Sequence, residues 1–136
     1  MMKGLEQNVD VFQRNLLRKI IDVKWPEKIS NEELYKKTNT REWSKTVKER
    51  RLRWYGHLLR LPESVPAKKA LNEAHRYVRM PRGGHKLTWL RLVEKDLEKC
   101  KVVVVTNGGG RSSLTHKQMA NNRSLWQTLV SRAVSQ

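Results

Sequence analysis

The run WSKTVKERRLRWYGHLLRL, residues 43–61, has the spacing of an α-helix and stops at Pro62. At about 100° per residue, Trp43, Val47, Trp54, Leu58 and Leu61 fall on one side. Leu52, Tyr55 and Leu59 make a second apolar stripe on nearly the opposite side. A helix that is apolar on two sides is sandwiched between neighbours or covered by another domain. The segment is therefore expected inside a helical assembly, with Trp54 in its core, the alternative being a base-stacking platform. Between the stripes, one arc carries Arg50, Arg53, Gly56, His57 and Arg60. Side chains three and four residues apart align along a helix, and the planar guanidinium fork suits phosphate. Gly56 costs the helix about 1 kcal/mol relative to Ala. Its presence points either to the close approach of a partner's backbone or to tight helix packing.

The rest of the chain follows the same period. Residues 9–23 read as a helix with Phe12, Leu16, Ile20 and Val23 on one face, Val9 beside them and Asp10 as a cap. Trp25-Pro26 is expected to stop it, because the residue before proline disfavours the α region. Ser30 and Glu33 form a capping-box pattern that opens a short helix through Lys37. Pro66 suits a helical first turn, so a helix is expected over 65–77. Thr88 can cap another over 89–100, with Trp89, Val93 and Cys100 on one face and Leu90 and Leu97 alongside. Thr115 can cap a last one to about Val134, with Met119, Trp126, Val130 and Ala133 as its stripe.

Two stretches break the pattern. Residues 78–87, VRMPRGGHKL, form a basic loop carrying Arg79, Arg82 and Lys86. Residues 101–113, KVVVVTNGGGRSS, hold four valines with no evident partner strand and are read as a flexible linker or insertion. The expected fold is all-α: one domain over 1–136, with about six helices in a small, thin-cored bundle.

Charge narrows the partners. The chain has 29 Lys and Arg against 13 Asp and Glu, a formal net charge of +16, with hydrophobic residues at 38%. Such a surface attracts polyanions: RNA, DNA, an anionic membrane or an acidic protein. No apolar run approaches the roughly 20 residues that a membrane span needs. The amino-terminal MMKGLEQNVD lacks the apolar centre of a secretory signal, and an intracellular location is expected.

Catalytic chemistry is missing from the pattern. No paired carboxylates stand ready for two metal ions. His57, His75, His85 and His116 lack zinc spacing, and NGGGRSS lacks the ending of a phosphate loop. Cys100, the only cysteine, sits on an apolar face as a small hydrophobe. No enzyme activity, cofactor or metal is expected. The candidate binding residues are Arg50, Arg51, Arg53, His57, Arg60, Arg79, Arg82 and Lys86. Arg50, Arg53 and Arg60 are expected to carry much of any polyanion affinity.

The segments VFQRNLLRKIIDVKW, ISNEELYKKTN, RRLRWYGHLLRLPES, PAKKAL, KLTWLRLVEKDL and NNRSLWQTLV occur in this order. Together they resemble the tail of LINE-type (non-LTR) retrotransposon reverse transcriptases, over nearly the whole chain from Val9 to Val130. RRLRWYGHLLRLP is the most specific block. Arg50, Arg51, Arg53, Trp54, Gly56 and His57 fall on it, Trp89 on the later Thr-Trp, and Arg123 and Trp126 on the final block. The resemblance implies the C-terminal piece of a nuclear or cytoplasmic retroelement particle that helps hold template RNA or target DNA. The polymerase and endonuclease acids of that family lie upstream of these segments. The chain departs from the family at RGGHK, 82–86, where RGRPK is usual, and in the longer stretch before the last helix. Its start in the middle of a polyprotein implies a truncated reading frame. A second expectation is a structural fragment whose apolar faces packed on the thumb and palm of the parent polymerase.

Overall fold

The computed structural model describes residues 2–24, 26–76, 88–98, 103–105, 111–113 and 115–135. Among the described residues the fold is all-α, with seven helices and one short hairpin. The helices are α1 Met2–Ile20, α2 Asn31–Lys37, α3 Trp43–Arg60, α4 Pro66–Arg76, α5 Trp89–Glu98, α6 His116–Asn121 and α7 Arg123–Ser135. They divide into two compact units, Met1–Lys48 and Glu49–Gln136.

In the N-terminal unit, α1 starts earlier than its apolar spacing implies and ends earlier too, with Asp22 in the left-handed region at φ 55°. The expected face of Val9, Phe12 and Ile20 is not buried: Phe12 is 58% exposed. The inward residue is polar. Gln13, 2% exposed, donates from Nε2 to the Arg41 carbonyl at 2.8 Å and accepts from the Trp43 amide at 2.8 Å. One turn earlier, Asp10 accepts from the Ser44 amide at 2.9 Å. Trp43 and Ser44 open α3, whose first amides have no partner inside their own helix. Asp10 thus caps α3 rather than α1. The Ser30–Glu33 capping box on α2 forms as its sequence indicates, with the Glu33 amide donating to Ser30 at 3.2 Å. Among the described residues of this unit, Leu34 is the buried hydrophobic one.

In the C-terminal unit the core gathers Leu52, Tyr55 and Leu58 of α3, Leu71 of α4, Val93 and Leu97 of α5, and Met119 of α6. From α7 it takes Trp126, Leu129, Val130 and Ala133. Tyr55 sits between two rings, 6.0 Å from Trp89 and 6.1 Å from Trp126. Pro62 ends α3 and Pro66 opens α4, as expected. Lys68, 2% exposed, reaches the end of α3, donating to the Leu59 carbonyl at 3.0 Å. A cation there suits the negative end of a helix.

Two sequence expectations change. The last helix is two helices. Thr115 caps α6 through a box with Gln118. Asn122 then leaves the helix and caps α7, its Oδ1 accepting from the Leu125 amide at 3.2 Å. Asn favours this role because its side chain competes for backbone amides. The valines also have a partner: β1 Val103–Val105 pairs antiparallel with β2 Arg111–Ser113, Val104 facing Ser112. Within the 101–113 stretch, residues 103–105 and 111–113 are thus paired strands. Asn-Gly between two extended runs is a hairpin signal. It was obscured because Arg-Ser-Ser lacks the β-branched and aromatic residues that mark strands. The basic loop and Cys100 lie outside the described residues.

Candidate nucleic-acid interface

The exposed arc of α3 is set by what its other sides meet. Leu52, Tyr55 and Gly56 are buried. Trp126 of α7 lies against Gly56 so closely that a Cβ there would overlap its indole. The indole Nε1 donates to the Leu52 carbonyl at 3.1 Å. Gly56 therefore serves packing between α3 and α7. Arg51 also turns inward: it donates from Nε to Asp96 of α5 at 2.9 Å, and its Nη2 forms the ion pair with the same carboxylate. With both side chains largely buried, Arg51 is a strut between two helices and leaves the set of candidate contact residues.

Trp54 is the reverse case. Placed in the core by its helical position, it is 52% exposed. The apolar stripe it shares with Leu58 and Leu61 splits along its length. Leu58 is buried with Leu71 of α4, and Leu61 packs at the edge of that core. Trp54 projects outward. One side of it borders a shallow apolar groove with Leu58, Ala67, Leu71, Trp89 and Leu90. Its ring also meets His57, with ring centroids 5.3 Å apart and planes inclined by 32°.

His57 then lines a second, polar cleft of about 360 Å³. Arg53 and Arg60 contribute to it from α3, Arg123 and Gln127 from α7, and Trp126 forms its apolar wall. Arg53 is mostly exposed and pairs with Glu49 one turn back at 2.5 Å. Arg60 donates to the Ala120 carbonyl at 3.0 Å, at the end of α6, which fixes the guanidinium at the rim. Arg123 is held in the first turn of α7 by the Asn122 cap.

The structure thus brings together Arg53, His57 and Arg60 of the expected arc. Arg50 lies exposed on the same helix but does not line the cleft. Arg79, Arg82 and Lys86 lie outside the described residues. Arg123 and Gln127 were not singled out for binding. Their i, i+4 spacing behind an asparagine cap is visible in the sequence, but which face of α7 meets α3 depends on tertiary packing, including that of Trp126 on Gly56.

Three guanidinium groups and an imidazole around one open cleft can take a phosphate or another compact anion by charge-assisted hydrogen bonds. Among the described residues no cluster of His, Cys, Asp or Glu could hold a metal ion, and no helix is long and apolar enough to cross a membrane. No protein family matches the chain, and no curated protein or solved structure is significantly similar to it.

Proposed function

We propose that the chain is a non-catalytic nucleic-acid-binding module, derived from the tail of a non-LTR retrotransposon reverse transcriptase, that grips the phosphate backbone. The observation that carries this reading is the convergence of Arg53, His57 and Arg60 with Arg123 from a helix far along the chain. The Arg53 guanidinium is 67% exposed in its pair with Glu49, and such ion pairs contribute little to stability. The formal charge of +16 supplies the long-range attraction. Contacts to phosphate alone give weak sequence preference and steep salt dependence.

The test is the salt slope of binding to RNA and DNA oligonucleotides, for the natural chain and for Arg53→Ala/Arg123→Ala. The double variant should keep its circular dichroism spectrum. Its slope of log affinity against log salt should fall by about 1 for each lost phosphate contact. An unchanged slope and affinity would remove the cleft from the interface.

A second reading, a structural fragment whose apolar surface packed on the thumb and palm of a polymerase, is favoured by the N-terminal unit. There Phe12, Ile20, Trp43 and Val47 are all exposed. On that reading the chain alone self-associates and binds hydrophobic dyes, and its association is independent of salt.

A further inference from the structure

We propose that the interface takes single-stranded nucleic acid, with an unpaired base stacked on Trp54 while the neighbouring phosphate sits in the cleft of Arg53, Arg60 and Arg123. The inference rests on the phosphate-binding reading above and deepens it by naming the form of nucleic acid.

Its basis is the position of Trp54. A large indole at this place in the helix could have been buried with Leu58, yet it stands half exposed beside the basic arc. His57 joins the two features: it contacts the Trp54 ring and also lines the cleft. The indole is therefore one ring away from the phosphate site. On the helix, Arg53, His57, Arg50 and Trp54 succeed one another around a continuous exposed arc. Single-strand binders combine a cationic track for the backbone with aromatic side chains on which bases stack. A duplex offers phosphates to the same arginines, but its bases are stacked on each other and have no free face for Trp54.

The experiment uses the full chain and fluorescence anisotropy with probes of about 12 nucleotides, within the usual site size of such binders. The probes are oligo(U), oligo(dT), an abasic strand of the same length and an RNA duplex. The proteins are the natural chain, Trp54→Ala, Trp54→Phe and Arg53→Ala/Arg123→Ala. The expected result is a loss of about ten-fold on the base-bearing single strands with Trp54→Ala, about 1.4 kcal/mol. Trp54→Phe, which keeps a stacking ring, should largely restore binding. Duplex and abasic affinities should stay unchanged, and the natural chain should bind the abasic strand as weakly as Trp54→Ala binds the normal one. Loss on oligo(U) alone or oligo(dT) alone would support the stacking and show a preference between strands that differ in the sugar and in the 5-methyl group of the base. If Trp54→Ala binds single strands as the natural chain does, or loses duplex and single strand equally, base stacking is overturned. The phosphate cleft survives in that case provided Arg53→Ala/Arg123→Ala still weakens every probe. If the arginine variant changes nothing, the phosphate reading falls and takes this inference with it.

Discussion

The Trp126 indole occupies the space in which a side chain on Gly56 would lie, and its Nε1 is tied to the Leu52 carbonyl one turn earlier on the same helix. That arrangement fixes α7 against α3, and with it the position of Arg123 relative to Arg53.

Gly56→Ala should destabilise the protein, against the helix propensity that favours alanine by about 1 kcal/mol. Overpacking a filled core costs about 1–3 kcal/mol, and a ring tethered by its own hydrogen bond has little room to move. Urea titration followed by circular dichroism should show a lower midpoint. A raised midpoint would mean that Trp126 can shift at no cost.

Trp54 and Trp126, two of the three tryptophans of the C-terminal unit, should separate cleanly. Trp126, 3% exposed, is expected to lose about 3–5 kcal/mol on truncation to alanine, enough to unfold a small domain. Trp54→Ala should lower the thermal midpoint far less, because half of its surface is already wet. Thermal melts of the two variants compared side by side check this, and a larger loss at Trp54 would refute the assignment.

Arg51→Ala should act on stability and not on nucleic-acid binding. Removing one member of a buried ion pair leaves the other charge without compensation, at a cost of about 3–5 kcal/mol. The paired replacement Arg51→Met/Asp96→Leu should recover most of that loss. Denaturant midpoints for the single and double variants decide the point. Salt-slope measurements on the double variant should match the natural chain.

Acid should weaken the fold through His116. Burial lowers its pKa below the ordinary imidazole value, with the Glu94 charge partly opposing the shift. The folded state therefore binds this proton less readily than the unfolded chain. Stability from this group is fully present above pH of about 6.5 and is lost as pH falls through the lowered folded value. His116→Gln should flatten the dependence of the thermal midpoint on pH below about 6.5. An unchanged pH profile would show that other groups carry the acid sensitivity.

Much of the helical order was legible because caps and prolines are local signals. Ser30, Thr115, Pro62 and Pro66 each act within a turn of their own position. Which face of a helix is buried was less legible. Periodicity grouped Trp54 with Leu58, but burial depends on which neighbour arrives: Leu58 joins the core cluster with Leu71 of α4, and Trp54 stays half exposed. Arg51 and Arg53 look alike in sequence. They part because Asp96, far along the chain, reaches one and not the other. Phe12 departs from its expected burial for a related reason. Apolar spacing favoured Phe12, whereas Gln13 is drawn inward by the unpaired groups at the start of α3.

Asp10 and Gln13 hold the beginning of α3 by hydrogen bonds in a unit where, among the described residues, Leu34 is the buried hydrophobic one. Backbone amides exchange their hydrogens through local opening, and segments with little apolar burial open at the lowest free energy. The Trp43 and Ser44 amides should thus report the N-terminal unit as a cooperative piece of its own, exchanging in concert and well before those around Leu52. Because the latch is polar, its opening exposes little new apolar surface. Its heat-capacity change is correspondingly small, and temperature tunes it less than it tunes the apolar core around Trp126.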